Sequence, residues 1–111
     1  MSMVTTHVLD TARGVPAAGV LVRLEQVTGN GPAEIARART DDDGRIRNLG
    51  PEQLPAGAYR LVFGTAEYLA GEGGPAPFFP EVVITFTIGG APHYHVPLLL
   101  SPFGYTTYRG S

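Results

Sequence analysis

The feature that most restricts what this chain can fold into is its punctuation. Fifteen glycines and ten prolines in 111 residues break it into short segments, and a helix interior loses about 1 kcal/mol per Gly and about 3 per Pro relative to Ala. What survives between the breaks alternates with period two and is rich in β-branched and aromatic residues, the pattern of strands joined by turns. Strands are expected at Val20–Val27, Tyr59–Phe63, Val82–Ile88 and Tyr94–Leu100. Weaker segments lie at His7–Asp10, Ile35–Thr40, Arg45–Leu49 and Tyr105–Arg109, with an Asp41-Asp42-Asp43-Gly44 turn between the second and third of these. About eight strands make an all-β, two-sheet sandwich. Only Thr65–Ala70 reads as helical, with Thr65 as cap and Gly71 as stop, and Gly71–Pro80 reads as a loop.

At this length, with 43% hydrophobic residues, one core and one domain spanning 1–111 are expected. The net charge of −2 and scattered cations leave no footprint for nucleic acid or anionic membranes. Without cysteine there is no disulfide or thiolate chemistry. Without lysine there is no Schiff base, and its absence beside abundant Ala, Gly and Pro suggests a GC-rich bacterial genome. The start, Met1 to His7, has neither cationic cluster nor apolar run, so no signal peptide or membrane anchor is read there and a cytoplasmic protein is expected.

Strand alternation points to the chemistry. In His93–Leu100, Tyr94, Val96, Leu98 and Leu100 share an apolar face, whereas His93, His95, Pro97 and Leu99 share the other. That second face suits neither a core nor a solvated surface and is expected to meet another surface. Pro97 cannot donate to a ladder, which places the strand at an edge or turns its nitrogen away from a neighbour. Val8 can enter the core while His7 and Leu9 face out, and Tyr108 can project beside an accessible Gly110. Taken singly, each histidine is an ordinary surface or core residue, and Arg45 a solvated charge balancing the acidic run. The triple Asp lacks the spacing of a calcium loop and reads as an Asx turn. His-x-His can hold a metal, but spacing identifies no third ligand, so no metal is assigned.

Together, however, these residues carry a likeness. The run His93-Tyr94-His95-Val96-Pro97-Leu98-Leu99-Leu100-Ser101-Pro102, the terminal Tyr105-Thr106-Thr107-Tyr108-Arg109-Gly110-Ser111, the opening His7-Val8-Leu9-Asp10 with Gly14-Val15-Pro16-Ala17, and Asp43-Gly44-Arg45 resemble the motifs of 5-hydroxyisourate hydrolases of the transthyretin-like family. The resemblance implies a sandwich of two four-stranded sheets with one short helix, assembled as a homotetramer with sites in a channel between dimers. It implies hydrolysis of 5-hydroxyisourate, a small-molecule intermediate of urate degradation, without a cofactor. It makes His7, Arg45 and His95 the catalytic and substrate-binding trio, with Tyr108, Arg109, Gly110 and Ser111 completing the pocket wall. Either His7 or His95, with an ordinary pKa near ~6.5, would serve as base, Arg45 would stabilise an oxyanion, and the Ser111 carboxylate would tune a histidine upward. His93 ranks below the trio. The alternatives are a small-ligand carrier using the same channel and a structural prealbumin-like module. Vertebrate transthyretin has replaced the first-strand histidine and the terminal Tyr-Arg-Gly-Ser, both kept here, which favours the enzyme.

Overall fold

A computed structural model describes residues 1–71 and 77–111; part of the loop expected at Gly71–Pro80 lies outside them. In chain order the elements are β1 (Val4–Asp10), β2 (Val15–Pro16), β3 (Leu21–Thr28), β4 (Gly31–Arg39), β5 (Arg45–Ile46), β6 (Gly57–Phe63), α1 (Thr65–Gly71), β7 (Val82–Ile88), β8 (Tyr94–Ser101) and β9 (Gly104–Thr107). They form two sheets: β2-β1-β8-β9 with β5 also paired to β1, and β4-β3-β6-β7. The sandwich of mostly strands with one short helix is as the sequence implied. Its first sheet has five strands rather than four, because two two-residue segments, β2 and β5, share one side of β1. Segments that short carry almost no periodicity.

The alternation read from the sequence sets the layers. Val4 and Val8 of β1 and Tyr94, Val96, Leu98 and Leu100 of β8 point inward, none more than 7% exposed, against Val22, Leu24, Tyr59, Leu61 and Phe63 of the other sheet. Each fully buried side chain of this kind contributes about 1.5–3 kcal/mol of transfer free energy. β1 and β8 run parallel, with Thr5 opposite His95 and His7 opposite Pro97, so the outward residues of both strands share one surface.

Pro97 is not on an edge strand, since β8 lies between β1 and β9. Leu98 pairs with Thr107 and His95 bridges Gly110 in one antiparallel register, yet Tyr108 and Arg109 between them leave the ladder. Pro97 lies opposite that gap, where a strand partner would require the N–H that proline lacks. The Thr107 hydroxyl donates instead to the Pro97 carbonyl, at 2.8 Å. Helix α1 starts at Thr65 as expected, but the Thr65 hydroxyl donates to the Phe79 carbonyl rather than serving as a simple cap. No helix among the described residues is long and apolar enough to cross a membrane.

Candidate functional site

The acidic turn places the cation. One carboxylate oxygen of Asp41 accepts the backbone N–H groups of Asp43 and Arg45, both at 2.9 Å, the Asx turn expected from the sequence. Those donors, that of Arg45 foremost, hold the Asp41 carboxyl below its ordinary value. Gly44 closes the turn with φ of 75° and presses against the Val8 carbonyl, where any Cβ would collide with backbone. Its own carbonyl accepts the Val8 N–H at 2.7 Å. Arg45 is thereby delivered opposite His7 across the β1–β5 pair. The solvated charge balancing the acidic run is Arg47, 3.3 Å from Asp41; Arg45 itself is half-buried.

Thr5, Arg45, His93, His95 and Ser111 line one cleft of about 180 Å³ on the outward face of the first sheet. Thr5, only 5% exposed, has its hydroxyl oxygen 2.9 Å from His93 Nε2 and 2.8 Å from His95 Nδ1. That leaves His95 Nε2 as the ring nitrogen available to a substrate. Partial burial, then the positive charge of Arg45, then His93 and His7, push the His95 pKa down. The upward tuning expected from the Ser111 carboxylate is therefore not found at His95: desolvation and Arg45 act in the opposite direction and prevail.

His7 flanks this cleft rather than lining it. Its Nε2 lies 2.9 Å from the Asp43 carbonyl; a carbonyl only accepts, so Nε2 carries the proton and Nδ1 is the second nitrogen. Tyr108 and Arg109 lie elsewhere. They line a second cavity of about 320 Å³ with Ile84, Phe86 and Tyr94, which meets the first cleft at His95, and the Arg109 guanidinium sits 5.0 Å from the centre of the Tyr94 ring. Gly110 belongs to His95: its N–H donates to the His95 carbonyl at 2.9 Å, and a Cβ on it would stand 2.5 Å from His95 Cδ2. Of the sequence-derived residues, Arg45, His95 and Ser111 thus converge, Gly110 backs them, His7 stands alongside, and Tyr108 and Arg109 face the neighbouring cavity. Thr5 was missed, although its spacing of two from His7 puts it on the same face. No cluster of three or more metal-ligating His, Asp or Glu side chains occurs among the described residues.

The sequence profile described as the HIUase/Transthyretin family matches residues 4–110. The chain belongs to that family. Among its relatives in the family is the 5-hydroxyisourate hydrolase of Caulobacter vibrioides, 48% identical with all of both chains covered. The solved structure of Klebsiella pneumoniae 5-hydroxyisourate hydrolase superimposes with a TM-score of 0.88 at 40% identity, covering all of both chains. Transthyretin from Sparus aurata superimposes with a TM-score of 0.90 at 38% identity, over 99% of this chain and 97% of that one. Enzyme and transthyretin thus share the HIUase/Transthyretin sandwich almost equally, and the backbone does not separate them. The side chains on its outward face must do so.

Proposed function

We infer that the chain hydrolyses 5-hydroxyisourate, with His95 as base and Arg45 as electrostatic clamp. The observation that carries this reading is the convergence of Arg45, the Thr5-held His95 and the terminal Ser111 on one cleft, in a chain similar over its whole length to 5-hydroxyisourate hydrolases. Water bound in the cleft loses a proton to His95 Nε2 as its oxygen attacks a ring carbonyl carbon. Arg45 faces the developing oxyanion with fixed positive charge and a planar fork of donors. The carbon–nitrogen bond then breaks and the ring nitrogen takes the proton back, so base and acid are regenerated in one cycle. The lowered pKa of His95 suits this role, because it keeps the ring neutral at neutral pH. His7, held through its Nε2–H by the Asp43 carbonyl, orients water or substrate from the side, Gly110 and Ser111 close the wall at His95, and Tyr108 and Arg109 line the adjoining cavity beyond it.

The working form is a cytoplasmic homotetramer whose sites lie in the channel between dimers. Two observations support the assembly. Among the described residues the outer edges of β7 and β9, like that of β4, have no strand partner, and such edges are normally covered. The cleft of one protomer, about 180 Å³, is also smaller than the ~300–1,000 Å³ of ordinary ligand pockets, as expected if a second copy completes it. The test is rapid-mixing absorbance of 5-hydroxyisourate generated in place by urate oxidase, comparing the native protein with His95→Ala. Accelerated decay that the substitution abolishes, in a protein that stays folded, is expected. Decay no faster than the spontaneous rate with native protein would leave a ligand carrier as the better reading.

A further inference from the structure

The Thr5 hydroxyl touches two imidazoles, and it has only one proton to give. With His93 Nε2 at 2.9 Å and His95 Nδ1 at 2.8 Å, it can donate to only one ring, so at least one of the two rings donates N–H to its oxygen. In one arrangement His95 carries Nδ1–H and presents a bare Nε2, the form of a base. In the other His95 accepts at Nδ1 and carries Nε2–H, the form of an acid. The two interconvert when both protons of the N–H···O–H···N chain shift together while Nε2 of His95 gains or loses a proton. The oxygen at the centre is held still: Thr5 lies within β1 directly opposite His95 in the parallel ladder, is almost fully buried, and as a β-branched residue is stiff at χ1. The two rings are near-parallel, 6.4 Å between centres, too far for direct hydrogen bonding.

We propose that Thr5 is a positioning residue that couples His95 to His93 through a two-proton shift, making His93 the store for the proton that His95 takes from water. This rests on the reading of His95 as base. Nε2 of His95 takes the water proton and the ring becomes a cation. Its Nδ1 proton passes to the Thr5 oxygen while the Thr5 proton passes to His93 Nε2. His93 is now the cation, and His95 is neutral with Nε2–H aimed at the substrate. When the leaving nitrogen takes that proton, the chain runs backwards and both rings return to their starting forms. The charged groups around the pair come from several elements. Arg45 on β5, Arg47 beyond it, Met1 and Ser111 line the cleft with the two rings, and His7 stands alongside on β1. Burial and Arg45 in particular work against a lasting cation at His95.

The experiment compares Thr5→Val, which keeps the branched shape and removes the hydroxyl, with Thr5→Ser, which keeps the hydroxyl, and with His93→Gln, which keeps a hydrogen-bonding group that cannot store a proton. His93 is half-exposed, so His93→Gln carries the test even if Thr5→Val fails to fold. The expected result is a fall in kcat of at least about tenfold for Thr5→Val and for His93→Gln, part of the ~100- to 10,000-fold that general acid–base groups supply. KM should hardly move, the double variant should fall no further than either single one, and Thr5→Ser should restore most of the rate. In mixtures of light and heavy water, kcat should curve with deuterium content in the native enzyme and become linear in Thr5→Val. Native kcat in folded His93→Gln, while His95→Ala is inactive, would overturn the relay and leave the base assignment standing. Full turnover in His95→Ala would instead remove the base assignment itself.

Discussion

Gly110→Ala tests how the terminal motif acts. Gly110 is not in the left-handed region, so alanine brings no backbone strain and its effect is purely steric. The new methyl would lie 2.5 Å from Cδ2 of His95, 3.2 Å from its Cγ and 3.3 Å from Cγ of Pro97. Ordinary carbon–carbon contact is about 3.5–4.0 Å, so ring and methyl must separate by roughly 1 Å. Pro97 is buried and closed within β8, which leaves two ways out. The imidazole swings and loses its 2.8 Å contact with Thr5, or the tail lifts, breaks the Gly110 to His95 backbone bond and carries Ser111 out of the cleft. A displacement near 1 Å costs about 100-fold in a positioned reaction, and kcat/KM should fall by that order. Stability should suffer less, because a chain end relaxes easily: about 1 kcal/mol, at the low end for overpacking, or a melting temperature lower by about 4–8 °C. The assay is decay of 5-hydroxyisourate well below the melting transition, with thermal unfolding measured in parallel. A folded Gly110→Ala enzyme with native kcat/KM would refute the idea that the glycine exists to seat His95.

Three further outcomes are expected. Because burial and Arg45 lower the His95 pKa, the acid limb of kcat/KM should have its midpoint below the ordinary ~6.5 of histidine; a midpoint at or above that value would contradict the site electrostatics. By the same linkage, folding disfavours the proton on His95, so its stability contribution is complete above the ordinary pKa and declines as pH falls through the interval down to the lowered one. Arg45→Lys keeps the charge but loses the planar fork, so kcat/KM should drop on the order of tenfold with the acid limb unmoved, whereas Arg45→Met should drop it and also move that limb upward. Tyr68→Phe removes the hydroxyl that donates at 2.7 Å to Asp10, a carboxylate only 2% exposed. Urea unfolding should show a loss of about 1–3 kcal/mol, and coincident midpoints would count against a structural role for that bond.

The strands with long alternation, Val82–Ile88 and Tyr94–Ser101, were legible in the sequence almost residue for residue, because one buried face imposes period two over seven or eight positions. The two-residue strands were not: β2 owes its assignment wholly to its partner β1, and the second half of the segment read at Arg45–Leu49 is not strand at all. The acidic turn was legible because Asp and Gly carry their own local hydrogen bonding, independent of anything distant.

The site divides along the same line. Composition, periodicity and motif resemblance by themselves determined the sandwich class, the outward-facing histidines and the residues worth weighing, since each of these depends on neighbours within a few positions of the chain. Only the tertiary structure decided that Thr5 lies between His93 and His95, that Arg45 rather than Arg47 enters the cleft, that His7 stands beside it, and that Tyr108 and Arg109 turn to the cavity behind. The hydrogen bonds that tie Thr5 and His7 into the site join residues 36 to 90 positions apart. These relations are set by the parallel register of β1 on β8, by the glycine turn pressed onto Val8, and by a proline that interrupts the last ladder, and none of these leaves a periodic trace in a single sequence.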